Sequence, residues 1–318
     1  MIFPIILSTL LLQATTTAAQ PVTATSAKQT HSQVDLDALL PRELSNTTSN
    51  SAFHIRAALG CHLPQKSLST KKGVSYPRDQ TRYANYFNRI SWAYNWYHAA
   101  KYWSPNAASL NGNIDYVPMI HSNKPDITNT WNQDIDGLLK GREDLAILAF
   151  NEPDMPINAG GSDMSPETAV ELYRKYILPY ACRARLGAPA VSNSPAAVNK
   201  GVRWLQRFLM LCTDCVIDFI PVHAYGPPTD IQMFKNAITG AYMAGGDPAR
   251  KVWVTEFAHQ VGSNPPIDQK KNLMRELSQW MNQQDFVERY AWWSADQGNL
   301  INGDGSGLSE LGQYWNLL

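Results

Sequence analysis

The sequence has no excess of charge of either sign: 27 basic and 27 acidic residues leave a net charge of zero over 318 residues. No basic stripe or charge block breaks that balance, so nucleic acid and anionic membrane surfaces lack the electrostatic footprint they would need. Beyond its N-terminus the chain has no apolar run of about 20 residues, the length required to cross a bilayer. Neither GxGxxG nor a Walker loop follows the first strand-like segment, which leaves a nucleotide-binding sheet without support. HExxH and His-x-His spacings are absent, so His121, His223 and His259 do not read as a metal site, and no metal or organic cofactor is expected. Ser192 and Ser194 lack a GxSxG elbow, which argues against a serine hydrolase. Cysteine is scarce, with Cys61, Cys182, Cys212 and Cys215 only. Cys212-Thr-Asp-Cys215 has redox or half-zinc spacing, but no second CxxC or His pair accompanies it. Structural disulfides are the simpler reading, with the pairing open.

The N-terminus reads as an address. An apolar run from Ile2 to Leu12 leads to the small residues Thr17-Ala18-Ala19 without a Lys or Arg, the pattern of a signal peptide over residues 1–19. The mature protein is therefore expected to be soluble and extracellular. Residues 20–70 are rich in Ser, Thr, Ala and Gln, which suits a disordered tether or pro-segment. Within it, Val34–Leu40 suits a short amphipathic helix, and Asn46-Thr47-Thr48 is a glycosylation sequon.

From Lys72 the texture changes to short apolar runs alternating with longer amphipathic ones. Eight candidate strands follow: Gly73–Tyr76, Arg89–Tyr94, Tyr116–Ile120, Leu145–Phe150, Leu186–Val191, Phe219–His223, Val252–Glu256 and Arg289–Trp293. The clearest helix is Pro166–Tyr180, opened by Ser165 as a cap, Pro166 in the first turn and Glu167 at the positive end of the dipole. Val202–Leu211 and Gln269–Asn282 follow, each with apolar residues three or four apart. Strands alternating with helices imply parallel pairing through right-handed crossovers, and eight units over residues 71–318 match a single (β/α)8 TIM barrel. Ten Trp and fourteen Tyr suit such a barrel, and also suit stacking on sugar rings.

Active sites on these barrels lie at the C-terminal ends of the strands. Two carboxylates end apolar runs there. Glu152 follows Leu145–Phe150 in Asn151-Glu-Pro-Asp154, where Pro153 is expected to hold Glu152 extended. Glu256 ends Lys251-Val-Trp-Val-Thr, where an unpaired buried charge costs several kcal/mol, on the order expected for unpaired buried ions, and is tolerated mostly where it is used. They end the fourth and seventh strands, across the barrel mouth from each other. Glycosidic cleavage needs such a pair, one protonated and one ionised.

These features resemble clan A glycoside hydrolases, and more closely family 128, the fungal-type β-1,3-glucanases with an Asl1-like catalytic domain. The resemblance runs from about Lys71 to Trp315. It rests on Lys72-Gly-Val74, Ser91-Trp-Ala-Tyr-Asn-Trp96, Phe150-Asn-Glu-Pro-Asp154, Asp218-Phe-Ile-Pro-Val-His-Ala-Tyr-Gly226, Trp253-Val-Thr-Glu-Phe257 and Glu288-Arg-Tyr-Ala-Trp-Trp293. It implies a retaining double displacement on β-1,3-glucan, endo-acting, by a monomer, with Glu152 as acid/base and Glu256 as nucleophile. By the same resemblance Asn151 contacts the neighbouring hydroxyl, His223 contacts the site, Tyr225 holds the nucleophile, and Trp292 or Trp293 floors the sugar. Asn95 and Trp96, ending the second strand, are expected to line the cleft. After the third strand the family carries a Trp-Gly pair, whereas this chain has Pro118-Met-Ile-His121-Ser122-Asn123 and loses that platform. Two other readings are a glucan-binding barrel with weak or lost catalysis, and hydrolysis of a different β-linked polysaccharide.

Overall fold

The computed structural model describes residues 61, 63–64, 66–101, 108–195 and 199–318. The expected signal peptide, the Val34–Leu40 helix and the Asn46 sequon lie outside them.

Eight strands appear in the expected order: β1 (Lys72–Ser75), β2 (Trp92–Tyr94), β3 (Asp115–Tyr116), β4 (Ala146–Ile147), β5 (Arg185–Leu186), β6 (Phe219–Gly226), β7 (Lys251–His259) and β8 (Val287–Trp292). Six form a parallel sheet in the order β3-β2-β1-β8-β7-β6, and β4 pairs with β5. Isolated parallel bridges join the two pieces. Met119 to Leu148 links the third and fourth strands, while Gly187 to Phe219 and Val191 to Val222 link the fifth and sixth. With β1 also paired to β8, the strands close a ring in sequence order, the (β/α)8 barrel.

Side-chain alternation splits the core in two. Trp92, Tyr94, Val117, Met119, Ala146, Leu148, Phe219, Trp253 and Ala291 form one buried cluster, which fills the barrel. Their neighbours along the strands, such as Ala93, Ile147, Ile220, Val254 and Trp292, belong to the larger layer under the helices. Gly73 shows how tightly the interior is filled: a Cβ there would stand 2.4 Å from the Trp92 ring, closer than packed atoms tolerate. At the lower end of the barrel, Arg185 holds Glu288 through two bonds of 2.6 and 2.8 Å, and Trp253 Nε1 adds a third at 2.9 Å.

The principal helices are α1 (Trp131–Leu139), α2 (Pro166–Tyr176), α3 (Gly201–Leu211), α4 (Ile231–Ala244), α5 (Ile267–Gln283) and α6 (Glu310–Leu317). Ser165 caps α2 by accepting from Thr168 N at 3.1 Å, and Pro166 occupies the first turn. This helix stops at Tyr176; a 3-10 turn, Leu178–Tyr180, takes up the rest of the expected span because Pro179 cannot donate to a helical ladder. Trp204 of α3 is buried and stacked on Phe208 at 5.7 Å, so it packs the helix onto the barrel. Cys61 pairs with Cys182, and Cys212 with Cys215. Together with Lys66, whose Nζ lies 3.2 Å from Asp115 and 3.3 Å from Asp144, the first bridge ties the end of the N-terminal extension to the barrel.

Candidate active site

Glu256 reaches the barrel mouth because β7 carries a bulge. Trp253 faces the interior while Val252 and Val254 face the helices, so strict alternation would send residue 256 outward. The pairing with β6 advances from Val222–Val254 to His223–Glu256, and that with β8 from Val254–Tyr290 to Phe257–Trp292. Each step leaves Thr255 as one extra residue. It reverses the parity and turns Glu256 inward, the re-aiming that bulges perform beside active sites. On β6 no such step is needed, since His223 and Tyr225 share the parity of Phe219.

Glu152 is set by its loop. Its N–H donates to Ala190 O at 2.8 Å, and its carbonyl accepts from Met155 N at 2.9 Å and Ser162 N at 3.3 Å. These bonds hold Glu152 at φ 37°. The extended conformation expected before Pro153 is therefore not adopted, because three hydrogen bonds outweigh the pre-proline preference. Such a backbone costs on the order of 1–3 kcal/mol and collects at functional sites. Gly161 lets the loop close, since a Cβ there would lie 2.6 Å from Glu152 O. Asp154 then braces it from below. Its carboxylate accepts from Ser192 N at 3.1 Å, Ser192 Oγ at 2.6 Å and Gly201 N at 2.8 Å.

The two carboxylates meet around a histidine. His223 Nδ1 lies 2.8 Å from Glu152 Oε1 and 3.4 Å from Glu256 Oε2. One oxygen of each carboxylate and one ring nitrogen of His223 all lie within 4.8 Å of one another. Glu256 Oε2 accepts from the Tyr225 hydroxyl. Its Oε1 accepts from Tyr94 OH at 3.0 Å and Trp96 Nε1 at 2.7 Å. Burial acts to lower the His223 pKa, but the Glu256 charge and the Glu152 hydrogen bond outweigh it and raise the value. Burial, reinforced by Glu256, pushes the Tyr94 and Tyr225 phenols far up, so both keep their protons and serve as donors. Burial, with help from Arg78, shifts His121 down to about 4, so it stays neutral.

The remaining expected residues divide. Asn151 donates from Nδ2 to Gly160 O at 3.2 Å, and its Oδ1 accepts from no described residue. Trp293 is partly exposed and meets the Tyr225 ring edge-on at 5.9 Å. Trp292 turns the other way, fully buried against Phe257 and Trp315. Asn95 does not reach the cleft: it is buried, donates to Ala99 O and Ala100 O, and accepts from Tyr116 OH at 2.8 Å. It sits between the inward residues Tyr94 and Trp96, hence on the opposite face. Tyr94 and Asp154 were not singled out from sequence; for Tyr94 the signal was its two-residue spacing from Trp96.

The triad Glu152, His223 and Glu256 is also spaced to hold a cation. The other such group among the described residues, Cys212, Asp214 and Cys215, has its sulfurs tied up in a disulfide.

A closed parallel barrel with two carboxylates at its C-terminal mouth, bridged by a histidine and braced by tyrosines, is the architecture of a glycoside hydrolase. Residues 73–315 match the family model for the glycosyl hydrolase catalytic core, and the chain belongs to that family, within glycoside hydrolase family 128. A solved relative is a curdlan-specific exo-β-1,3-glucanase (subgroup III) from Blastomyces gilchristii. It is 34% identical with TM-score 0.66, over 78% of this chain and 98% of that one. An endo-β-1,3-glucanase (subgroup I) from Amycolatopsis mediterranei, solved with laminarihexaose, is 26% identical with TM-score 0.61, over 78% and 99%. Among curated proteins, alkali-sensitive linkage protein 1 of Schizosaccharomyces pombe is 31% identical over 265 residues. That match covers 78% of this chain and 45% of the relative, so the chain spans under half of that protein's length.

Proposed function

We propose that this enzyme hydrolyses β-1,3-glucan by a retaining double displacement in which Glu152 is the acid/base and Glu256 the nucleophile. The observation that carries it is that one oxygen of Glu152 and one of Glu256 approach within 4.8 Å of each other beside His223, a closeness that supports the short carboxyl separation of retaining sites, about 5–5.5 Å, over the roughly 6.5–9.5 Å of inverting ones. Glu152 gives a proton to the leaving oxygen while Glu256 attacks the anomeric carbon. Water, deprotonated by Glu152, then releases the sugar and restores both groups. His223 Nδ1, 2.8 Å from Glu152 Oε1, holds the acid/base carboxyl in position. Asn151, with an uncommitted Oδ1, is placed to meet a sugar hydroxyl, and Trp293 is the partly exposed ring at the floor. Acid, base and nucleophile are all side chains of the chain itself.

The substrate follows the relatives, which are named as β-1,3-glucanases and one of which was solved with a β-1,3-linked hexasaccharide. Their modes differ, one exo and one endo. Secretion as a monomer to the wall fits the two disulfides, which persist in oxidising compartments, and no described helix is long and apolar enough to cross a membrane. Product analysis on soluble β-1,3-glucan, cellulose and xylan tests the reading. Products from the first alone are expected, a ladder of short oligosaccharides for endo attack or glucose alone for exo. Tight binding with no product, or cleavage confined to xylan, would contradict it.

A further inference from the structure

Both oxygens of the proposed nucleophile are occupied, and the side chains that occupy Oε1 come from the end of β2 and the turn just after it. Tyr94 ends the strand and Trp96 follows two residues on, their rings edge-to-face at 5.3 Å. Trp96 Nε1 donates at 2.7 Å and Tyr94 OH at 3.0 Å, the latter also lying 3.2 Å from Thr255 O. Trp96 holds this position with φ 57°, a left-handed backbone that costs a bulky residue about 1–3 kcal/mol and that collects at functional sites.

We infer that Trp96 is a catalytic donor for the second half of the reaction: with Tyr94 it stabilises the charge that returns to Glu256 when the glycosyl-enzyme breaks down. The inference rests on the retaining reading above. In the first step an oxygen lone pair of Glu256 forms the bond to the anomeric carbon, the bond to the leaving oxygen breaks, and that oxygen takes the proton of Glu152. The carboxylate loses its charge as the ester forms, so donors on it favour the ground state and do not speed this step. In the second step water attacks the same carbon, its proton goes to Glu152, and the electron pair of the carbon–oxygen bond returns to Glu256. The carboxylate is now the leaving group, and every N–H or O–H aimed at it lowers the barrier. Hydrogen bonds to a charged group are the strong kind, so the two steps respond to loss of the indole N–H in opposite senses.

Trp96→Phe keeps an aromatic ring and removes the N–H donor, with some loss of ring volume. With an activated aryl β-laminaribioside, this variant is expected to release a burst of phenol equal to the enzyme present. Steady turnover should then be slower than wild type by about tenfold or more, the range for one charge-assisted bond, and a covalent glycosyl adduct should be visible by intact mass. Tyr94→Phe should shift the same way. Steady turnover equal to wild type, or a slower rate with neither burst nor adduct, would overturn the inference and leave Trp96 a sugar platform or a packing residue. The wild-type product distinguishes the two layers. A β-anomer appearing first together with no adduct in Trp96→Phe sinks this inference alone, whereas an α-anomer appearing first takes the retaining reading down with it.

Discussion

At the scale of single residues the site is two carboxylates whose functions depend on their neighbours. Glu256 accepts from the Tyr225 and Tyr94 hydroxyls and the Trp96 indole, whereas Glu152 Oε1 meets His223 Nδ1 at 2.8 Å. That asymmetry supports Glu256 as the nucleophile and Glu152 as the acid/base. Glu256→Gln keeps the shape and removes the proposed nucleophile, and Glu152→Gln removes the proposed proton donor. Each is expected to cut turnover of β-1,3-glucan by several orders of magnitude, with the double variant scarcely worse, because groups acting as a unit are not additive. Circular dichroism should remain that of the folded barrel. Either single variant retaining more than about a tenth of the wild-type rate would be incompatible with covalent catalysis through these residues.

At the scale of elements, much of the site was legible because strands announce themselves as apolar runs and a carboxylate ending such a run breaks the pattern. Glu152 and Glu256 stand out that way. What the pattern leaves unreadable is parity. Asn95 and Trp292 look like mouth residues by position, yet each lies one residue out of phase with the inward face, Asn95 beside Tyr94 and Trp292 beside Ala291. Alternation from Trp92 through Tyr94 to Trp96 would have revealed the Tyr94 donor. The bulge at Thr255 has no such signal, for nothing in Val-Trp-Val-Thr-Glu marks where the pairing slips; it depends on the neighbouring strands. The loops after β4 and β5 depend likewise on long-range contacts through Asp154. Asp154→Ala would strand the N–H groups of Ser192 and Gly201, and each buried unpaired donor costs about 1–3 kcal/mol. A Tm several degrees lower is expected, together with slower turnover as the Glu152 loop loosens. An unchanged Tm would show that Asp154 carries no load.

At the scale of the whole molecule, the barrel is locked at its lower end by Arg185 and Glu288. Burial would raise the Glu288 pKa, but the Arg185 hydrogen bonds and charge, with the Trp253 N–H, bring it from 4.5 to about 2. The group binds a proton less readily in the folded state, so its stabilisation is complete above about pH 4.5 and is lost as pH falls through about 2. A depression of this size corresponds to about 3 kcal/mol. Arg185→Gln should therefore lower Tm clearly at pH 6, and its deficit against wild type should shrink as the pH is taken from 4.5 toward 2. A deficit independent of pH would mean that packing, not the ion pair, is what Arg185 supplies.

Two carboxylates this close are expected to act by double displacement on a β-1,3-linked chain. Time-resolved proton NMR of a soluble β-1,3-glucan during the first minutes of hydrolysis tests it most directly. The β-anomer of the new reducing end should appear first, with the α-anomer growing in only at the rate of mutarotation. An α-anomer formed first would contradict the mechanism, and no new reducing end at all would contradict the activity.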